Sequence, residues 1–370
     1  MPYGTVNADL ITTSDGVSYA GLYGFKNRLI NSDMRIDQRN AGASVTVNTA
    51  TDTYGVDRWL GAGVVTDGVF TMQQDSSAPT GFSNSLKITV TTADTSVTGA
   101  QSYQIQQKIE GFNTSDLGFG TASAATITLS FWVRSSLTGT FGGALVNSAF
   151  NRSYPFSYTI SAANTWEQKS VTIAGDTSGT WIGSTNGIGL RVYFGLGAAD
   201  RAGTAGAWAG AGYVTATGAV SVIGTLNATF YVTGVQLERG SAATSFDYRP
   251  YGTELQLCQR YLPAWNMTAA NQIFGQGQVG SGSSAVIHLP FKVSARVAPT
   301  GITASAAANF YLTNSTYNIA GTYSSTVFGY GSTEGIGLTC STSTGLTAGN
   351  ITTLGANSAT AQILATGCEL

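Results

Sequence analysis

The stretch Thr126-Ile127-Thr128-Leu129-Ser130-Phe131-Trp132-Val133-Arg134 restricts the fold of this chain more than any other. Ile127, Leu129, Phe131 and Val133 fall on one side of an extended backbone. Thr128, Ser130, Trp132 and Arg134 fall on the other. A period of two marks a strand with one buried face, whereas a helix would scatter the same residues around its axis. Residues 86–91, 190–194 and 230–235 repeat the pattern. Turn-rich segments such as Ala174-Gly175-Asp176-Thr177-Ser178-Gly179 separate these runs. Short strands at this spacing, with no helical period between them, predict an all-β jelly-roll sandwich.

Composition agrees with that reading and narrows the function. Only 10% of residues are charged, against roughly 25% in average domains, so hydroxyls and amides must wet the surface. The net charge is −2 and no run of Lys or Arg occurs. A nucleic-acid partner is therefore not expected, because backbone neutralisation needs clustered cations. Cys258, Cys340 and Cys368 match no zinc spacing, and an odd count argues against a disulfide framework. They read as buried thiols in a reducing compartment. The start, Met1-Pro2-Tyr3-Gly4-Thr5, lacks the cationic and apolar parts of a signal peptide. No apolar run approaches the roughly 18 residues of a membrane span. The expectation is a chain made in the cytoplasm, with no membrane insertion.

The chain divides into four segments by pattern. Residues 1–24 form a short lead of mixed polarity, read as an anchoring arm that packs on a partner. Residues 25–250 carry the jelly roll. Residues 251–264 form a helical linker: Leu255, Cys258 and Leu262, with Leu257 and Tyr261, have helical spacing over 253–262, and Pro263 stops it. Residues 265–370 return to alternation, as in Ala285-Val286-Ile287-His288-Leu289, and predict a second, smaller β-sandwich.

Several stretches resemble known sequences. Residues 27–40, Asn-Arg-Leu-Ile-Asn-Ser-Asp-Met-Arg-Ile-Asp-Gln-Arg-Asn, resemble the opening of a carbohydrate-binding-module-like jelly roll common in bacteriophage tail and fibre proteins. Tyr54-Gly55-Val56-Asp57-Arg58-Trp59 follows as in that family. Residues 234–240 and 245–250 resemble its closing strand, and Cys258-Gln259-Arg260-Tyr261 its linker. Residues 289–300 and the ending Cys368-Glu369-Leu370 are similar to the C-terminal domains of the same proteins. The resemblance implies a structural virion protein of a tailed bacteriophage: a tail fibre, tail tip or head fibre that contributes to host attachment. A polysaccharide-degrading appendage enzyme and a capsid-decorating stabiliser are the alternatives. Asp33, Arg35, Asp37, Arg39, Asp57 and Arg58 concentrate charge in the opening segment, which suggests ion pairs at the sandwich edge. Asp and Asn oxygens there also leave room for a structural Ca²⁺, although no EF-hand spacing is present. No other cofactor is expected.

Catalytic machinery is hard to assemble from this sequence. His288 is the only histidine, so multi-histidine metal sites are excluded. No Gly-x-Ser-x-Gly elbow or Walker lysine occurs. Glu110, Asp116, Asp176, Asp200 and Glu238 are the acids from which a glycosidase pair would have to come, and nothing in the sequence joins two of them. No enzyme activity is expected. Aromatics point instead to binding. Trp132 lies on the polar side of its strand. Trp208 and Tyr213 lie in a Gly/Ala-rich segment, 195–219, read as a loop. Phe310, Tyr311, Tyr317, Tyr323 and Tyr330 lie in a second turn-rich region, 310–335. Aromatic faces on loops can stack on sugar rings, so these eight are the candidates for a host-surface glycan or receptor. A homo-oligomer, most simply a trimer, is expected. The chain has little charge to oppose association, the resemblance implies it, and Leu255, Cys258, Tyr261 and Leu262 offer contacts on more than one side of the linker helix.

Overall fold

A computed structural model of the chain describes residues 25–48, 51–63, 67–314, 316 and 318–370. The expected arm, 1–24, and Tyr317 lie outside them. The chain divides into two compact units, the break falling between Tyr251 and Gly252.

In the first unit the strands are β1 (Val45–Val47), β2 (Thr53–Val56), β3 (Trp59–Gly63), β4 (Val69–Asp75), β5 (Ser85–Thr92), β6 (Ser102–Glu110) and β7 (Ile127–Ser135). They continue as β8 (Gly139–Asn147), β9 (Ser153–Ile160), β10 (Glu167–Ile173), β11 (Ile188–Ala198), β12 (Ala202–Gly203), β13 (Thr215–Ala216) and β14 (Thr229–Arg239). One six-stranded sheet has the order β1-β4-β5-β14-β7-β10 and the other β2-β3-β6-β11-β8-β9. All of these neighbours pair antiparallel, and sequence-distant strands lie side by side, as in a jelly roll. The alternation of β7 is realised: Ile127, Leu129, Phe131 and Val133 are fully buried. With Trp59, Phe141, Phe156, Phe194 and Phe230 they fill the space between the sheets.

The opening segment owes its sequence to the closing strand. Asn27 donates its amide to the Val235 carbonyl (2.9 Å) and accepts from the Leu237 N–H (3.1 Å). Arg249 donates to the Leu29 carbonyl at 3.0 Å. Asn31 sits at φ +53°, bonds the carbonyls of Ile36 and Asp57, and accepts the Trp59 indole N–H on its own carbonyl. The charged residues there do more than form surface pairs. Arg35 pairs with Asp33, Arg39 stacks on Tyr54, and Asp37 accepts the N–H groups of Asn40 and Gly42. Asp57 and Arg58, both buried, bind Gln38 and the Lys108 carbonyl. The segment is a buried latch that closes the sandwich end.

The second unit begins in α1 (Tyr251–Gln259), the one α-helix among the described residues, after Pro250. The helix starts and ends earlier than the spacing predicted. The chain turns after Gln259, so that Leu262 and Ala264 pack on Leu364. The strands are β15 (Ala264–Asn266), β16 (Ile273–Ser281), β17 (Ser284–Pro290), β18 (Gly301–Ala304), β19 (Phe310–Thr313), β20 (Ile319–Ala320), β21 (Tyr323–Ser332), β22 (Gly335–Thr342), β23 (Ile351–Ala356) and β24 (Gln362–Thr366). A seven-stranded sheet, β20-β19-β23-β16-β17-β22-β21, packs on a three-stranded one, β15-β24-β18. Their core holds Trp265, Phe274, Ile287, Leu289, Phe310, Leu338 and Ile363. Both units are thus β-sandwiches.

Candidate functional site

β6 carries two alternating sets of side chains. Tyr103, Ile105 and Ile109 enter the core, while Ser102, Gln104, Gln106 and Lys108 line the opposite, outward face. Register carries that polar row onto β11. Gln106 pairs with Tyr193 and Lys108 with Arg191. β11 carries it on to β8, where Ala144 and Val146 are small enough to leave space. The result is an open groove of about 280 Å³ lined by Asp52, Ser102, Gln104, Gln106, Lys108, Phe150, Arg191, Tyr193, Arg201 and Val214.

A folded segment walls one end. The 195–219 stretch is not a protruding loop. Gly195, Leu196 and Gly197 continue β11, and the rest returns across the sheet through the short parallel pair β12–β13. The glycines allow this: a Cβ on Gly195 would lie 2.4 Å from Thr215, and one on Gly142 2.6 Å from the Ala216 nitrogen. Val214 packs on Tyr193, Ala144 and Val146. Phe150, at the tip of the β8–β9 hairpin, forms a second wall. Its φ is +57°, a conformation unfavourable for a side chain with a Cβ. Asn147 holds the turn by accepting the N–H groups of Asn151 and Arg152. The Phe150 ring lies edge-on to Tyr193, centroids 6.3 Å apart, and the Arg201 guanidinium sits 4.9 Å from its centroid.

The floor of this groove is unusual for a folded interior. Ser102, Gln104 and Gln106 are at most 6% exposed, yet the Ser102 hydroxyl and the Oε1 atoms of Gln104 and Gln106 bond to no protein group. A buried polar atom without a partner costs free energy that folding alone does not justify. Burial pushes the Tyr193 hydroxyl up to about 12; like any tyrosine it is protonated at neutral pH. Lys108 is ion-paired with Asp52. Asp52 is the one carboxylate among the described lining residues.

The other candidate acids lie outside the groove lining. Asp116 pairs with Arg28, Asp176 with Arg152, and Glu238 accepts from Gln236 and Thr244. Asp200 is exposed and Glu110 buried, both outside the groove lining. His288 is exposed on β17, opposite Gln276 and Gly337. Among the described residues no group of three or more His, Cys, Asp or Glu is placed to hold a metal ion.

The aromatic candidates separate into three groups. Phe310 and Tyr323 are buried, their rings 5.6 Å apart in the second core. The turn-rich sequence around them folds into β19 and β21, whose alternation turns these rings inward, so neither is a surface aromatic. Trp208 and Tyr213 are half-buried. Trp208 packs on Tyr154, Phe119 and Trp181 and donates its indole N–H to the Ala174 carbonyl at 2.7 Å. Tyr213 covers Gly203. Trp132, Tyr311 and Tyr330 keep accessible surface. Tyr330, 55% exposed, lies over Gly337, and Tyr311 over Gly355. None of the seven described candidates lines the groove. Of the expected oligomer contacts, Cys258, Tyr261 and Leu262 are buried within the chain and only Leu255 keeps partial exposure. Cys258 is buried within α1, and Tyr261 and Leu262 by the turn that follows it.

Of the strands that carry the groove, the sequence pattern marked only residues 190–194 of β11, and neither β6 nor β8. The signal was present in Ser102-Tyr103-Gln104-Ile105-Gln106-Gln107-Lys108, where amides and hydroxyl alternate with core residues.

No family model and no curated protein matches the chain. Solved structures that match part of the chain include the enzymatically active domain of tailspike protein 4 from bacteriophage CBA120 (12% identity, TM-score 0.32), over 58% of this chain and 22% of that one. They also include the family 11 carbohydrate-binding module from Clostridium thermocellum in complex with a mixed-linked tetrasaccharide (11%, TM-score 0.28), over 55% and 100%. A third is the module TmCBM61 in complex with β-1,4-galactotriose (7%, TM-score 0.29), over 58% and 100%. The similarity thus spans about a fifth of the tailspike chain and the whole of the two modules.

Proposed function

We propose that the first unit is a glycan-binding module and that the whole chain is a non-catalytic appendage subunit of a tailed-bacteriophage virion, used in attachment to the host surface. The observation that carries the binding role is the row of buried, unpartnered oxygens on Ser102, Gln104 and Gln106 at the floor of an open groove. Sugar hydroxyls are the donors that such acceptors lack, and the Phe150 ring offers an apolar wall for a pyranose face. The virion role is supported by the sequence resemblance of residues 27–40, 234–250 and 289–300. In this reading residues 1–24 contact other virion proteins, and a homotrimer supplies avidity for sites that are individually weak.

Affinity electrophoresis of the purified chain through gels containing host-surface polysaccharide tests the binding role. Retardation that is lost in Gln104→Ala/Gln106→Ala, with unchanged thermal stability, is expected. Equal retardation of that variant would move binding away from the groove. Light scattering tests the assembly: a monomer of 38.2 kDa would refute the trimer.

A further inference from the structure

Many cations of the first unit are ion-paired. Arg28, Arg35, Lys87, Arg152 and Lys169 each meet a carboxylate. In a chain with few charges, that is how cations are kept compatible with a folded surface. Arg191 and Arg201 meet no carboxylate, and in this they resemble Lys26 and Arg134, which bond Thr244, Ser245 and Ser77 instead. Arg191 donates only to the Asn147 carbonyl, at 2.9 Å. Among the described residues Arg201 forms no ion pair and no side-chain hydrogen bond, and its Nε is buried without a partner, as are those of Arg28 and Arg134. Both guanidinium groups lie beside Phe150, 6.0 and 4.9 Å from its ring centroid, and both line the groove. With Lys108 they make three cations against the single carboxylate of Asp52, a local excess of two positive charges on a chain whose net charge is −2.

We infer that the groove selects an acidic saccharide: sugar hydroxyls fill the acceptors of Ser102, Gln104 and Gln106 while an anionic substituent on the sugar pairs with Arg191 and Arg201. This rests on the groove being the glycan site. The two halves of the lining ask for different chemistry. The floor presents neutral acceptors, which take hydroxyl donors. The wall presents planar cations with free N–H groups, which suit carboxylate or sulfate oxygens. A neutral oligosaccharide satisfies the floor and leaves the guanidinium groups unused. An inorganic anion satisfies the wall and leaves the floor unpaired. An acidic sugar satisfies both.

The test compares matched probes on the full chain. Binding of oligogalacturonides, their methyl-esterified neutral counterparts, chondroitin sulfate and neutral galactan oligosaccharides is measured by calorimetry at 50 and 500 mM NaCl. The variants are Arg201→Gln, Arg191→Gln, Gln104→Ala/Gln106→Ala and Arg239→Gln, the last removing an exposed charge outside the groove. The expected result is acidic over neutral by about tenfold or more, with the preference reduced by high salt. Each groove arginine variant should erase it, and Arg239→Gln should not. The carboxylated and sulfated probes identify which anion is preferred. Equal binding of acidic and neutral probes, unchanged in Arg201→Gln but lost in Gln104→Ala/Gln106→Ala, overturns the acidic selection and leaves the groove as a glycan site. Binding indifferent to every groove variant, or absent for all probes, removes the groove reading and this inference together.

Discussion

Two tyrosines in the same core should respond to the same substitution with opposite signs. Tyr158 projects from β9 between the sheets, its ring 5.0 Å from Phe131 and 5.9 Å from Phe141. Its hydroxyl is buried and bonds to nothing, and burial alone drives its acidity far down. Tyr158→Phe keeps the ring contacts and removes the stranded hydroxyl. Relief of an unsatisfied group is worth roughly 1–3 kcal/mol. The void of one oxygen gives back about 0.4 kcal/mol, at 24 cal/mol per Å³ over some 15 Å³. A net gain of about 1 kcal/mol is expected, a rise of roughly 2–4 °C in Tm for a unit of this size. Tyr103 is equally deep, but its hydroxyl donates to Asp94 at 3.0 Å and accepts the Gly68 N–H at 2.9 Å. Tyr103→Phe breaks both bonds, one of them to a charged group, and should cost about 2–3 kcal/mol. Thermal and denaturant unfolding, read on the transition of the first unit, measures both. A loss of stability in Tyr158→Phe larger than about 0.5 kcal/mol would mean that the hydroxyl is bonded, and would refute the reasoning.

Stability should also fall in alkali. Tyr103 and Tyr193 are both pushed up to about 12 by burial, so above pH 10 the unfolded chain gives up protons that the folded one keeps, and stability declines as pH rises toward 12. Tm measured from pH 9 to 11.5 should drop less steeply in Tyr193→Phe, and an identical slope would contradict the assignment. Cys340 and Cys368 are buried and pushed up to about 11, so iodoacetamide at pH 8 should leave both unlabelled in the native chain and label both after unfolding, as mass spectrometry will show. Modification of either thiol in the native chain would refute their burial.

The fold was legible where a single strand carries its own evidence. Ile127 to Val133 needed no partner to announce a buried face, and the same holds for 285–289. The latch of 27–40 could be recognised by resemblance, but its physical role could not, because Asn27 and Asn31 act on backbone groups up to about 210 residues away. The groove was less legible for the same reason. It is assembled by register between β6, β11 and β8, and by a segment that crosses back over them. Gln106 and Tyr193 become neighbours only through the ladder that joins them. Sequence reasoning favoured aromatics in Gly-rich and Thr-rich stretches. Phe310 and Tyr323 show the weakness of that rule: a four-residue strand and an edge strand are enough to turn both rings inward.

The central claim is a location, and side-chain footprinting tests it directly. Phe150 is half-buried at the groove wall, while Tyr330 is 55% exposed in the second unit, so hydroxyl radicals should oxidise both in the free chain. With a host-surface polysaccharide bound, the account predicts that oxidation of Phe150 falls severalfold and that of Tyr330 is unchanged. Protection of Tyr330 and Tyr311 with Phe150 still fully reactive would place the glycan on the second unit and contradict the account.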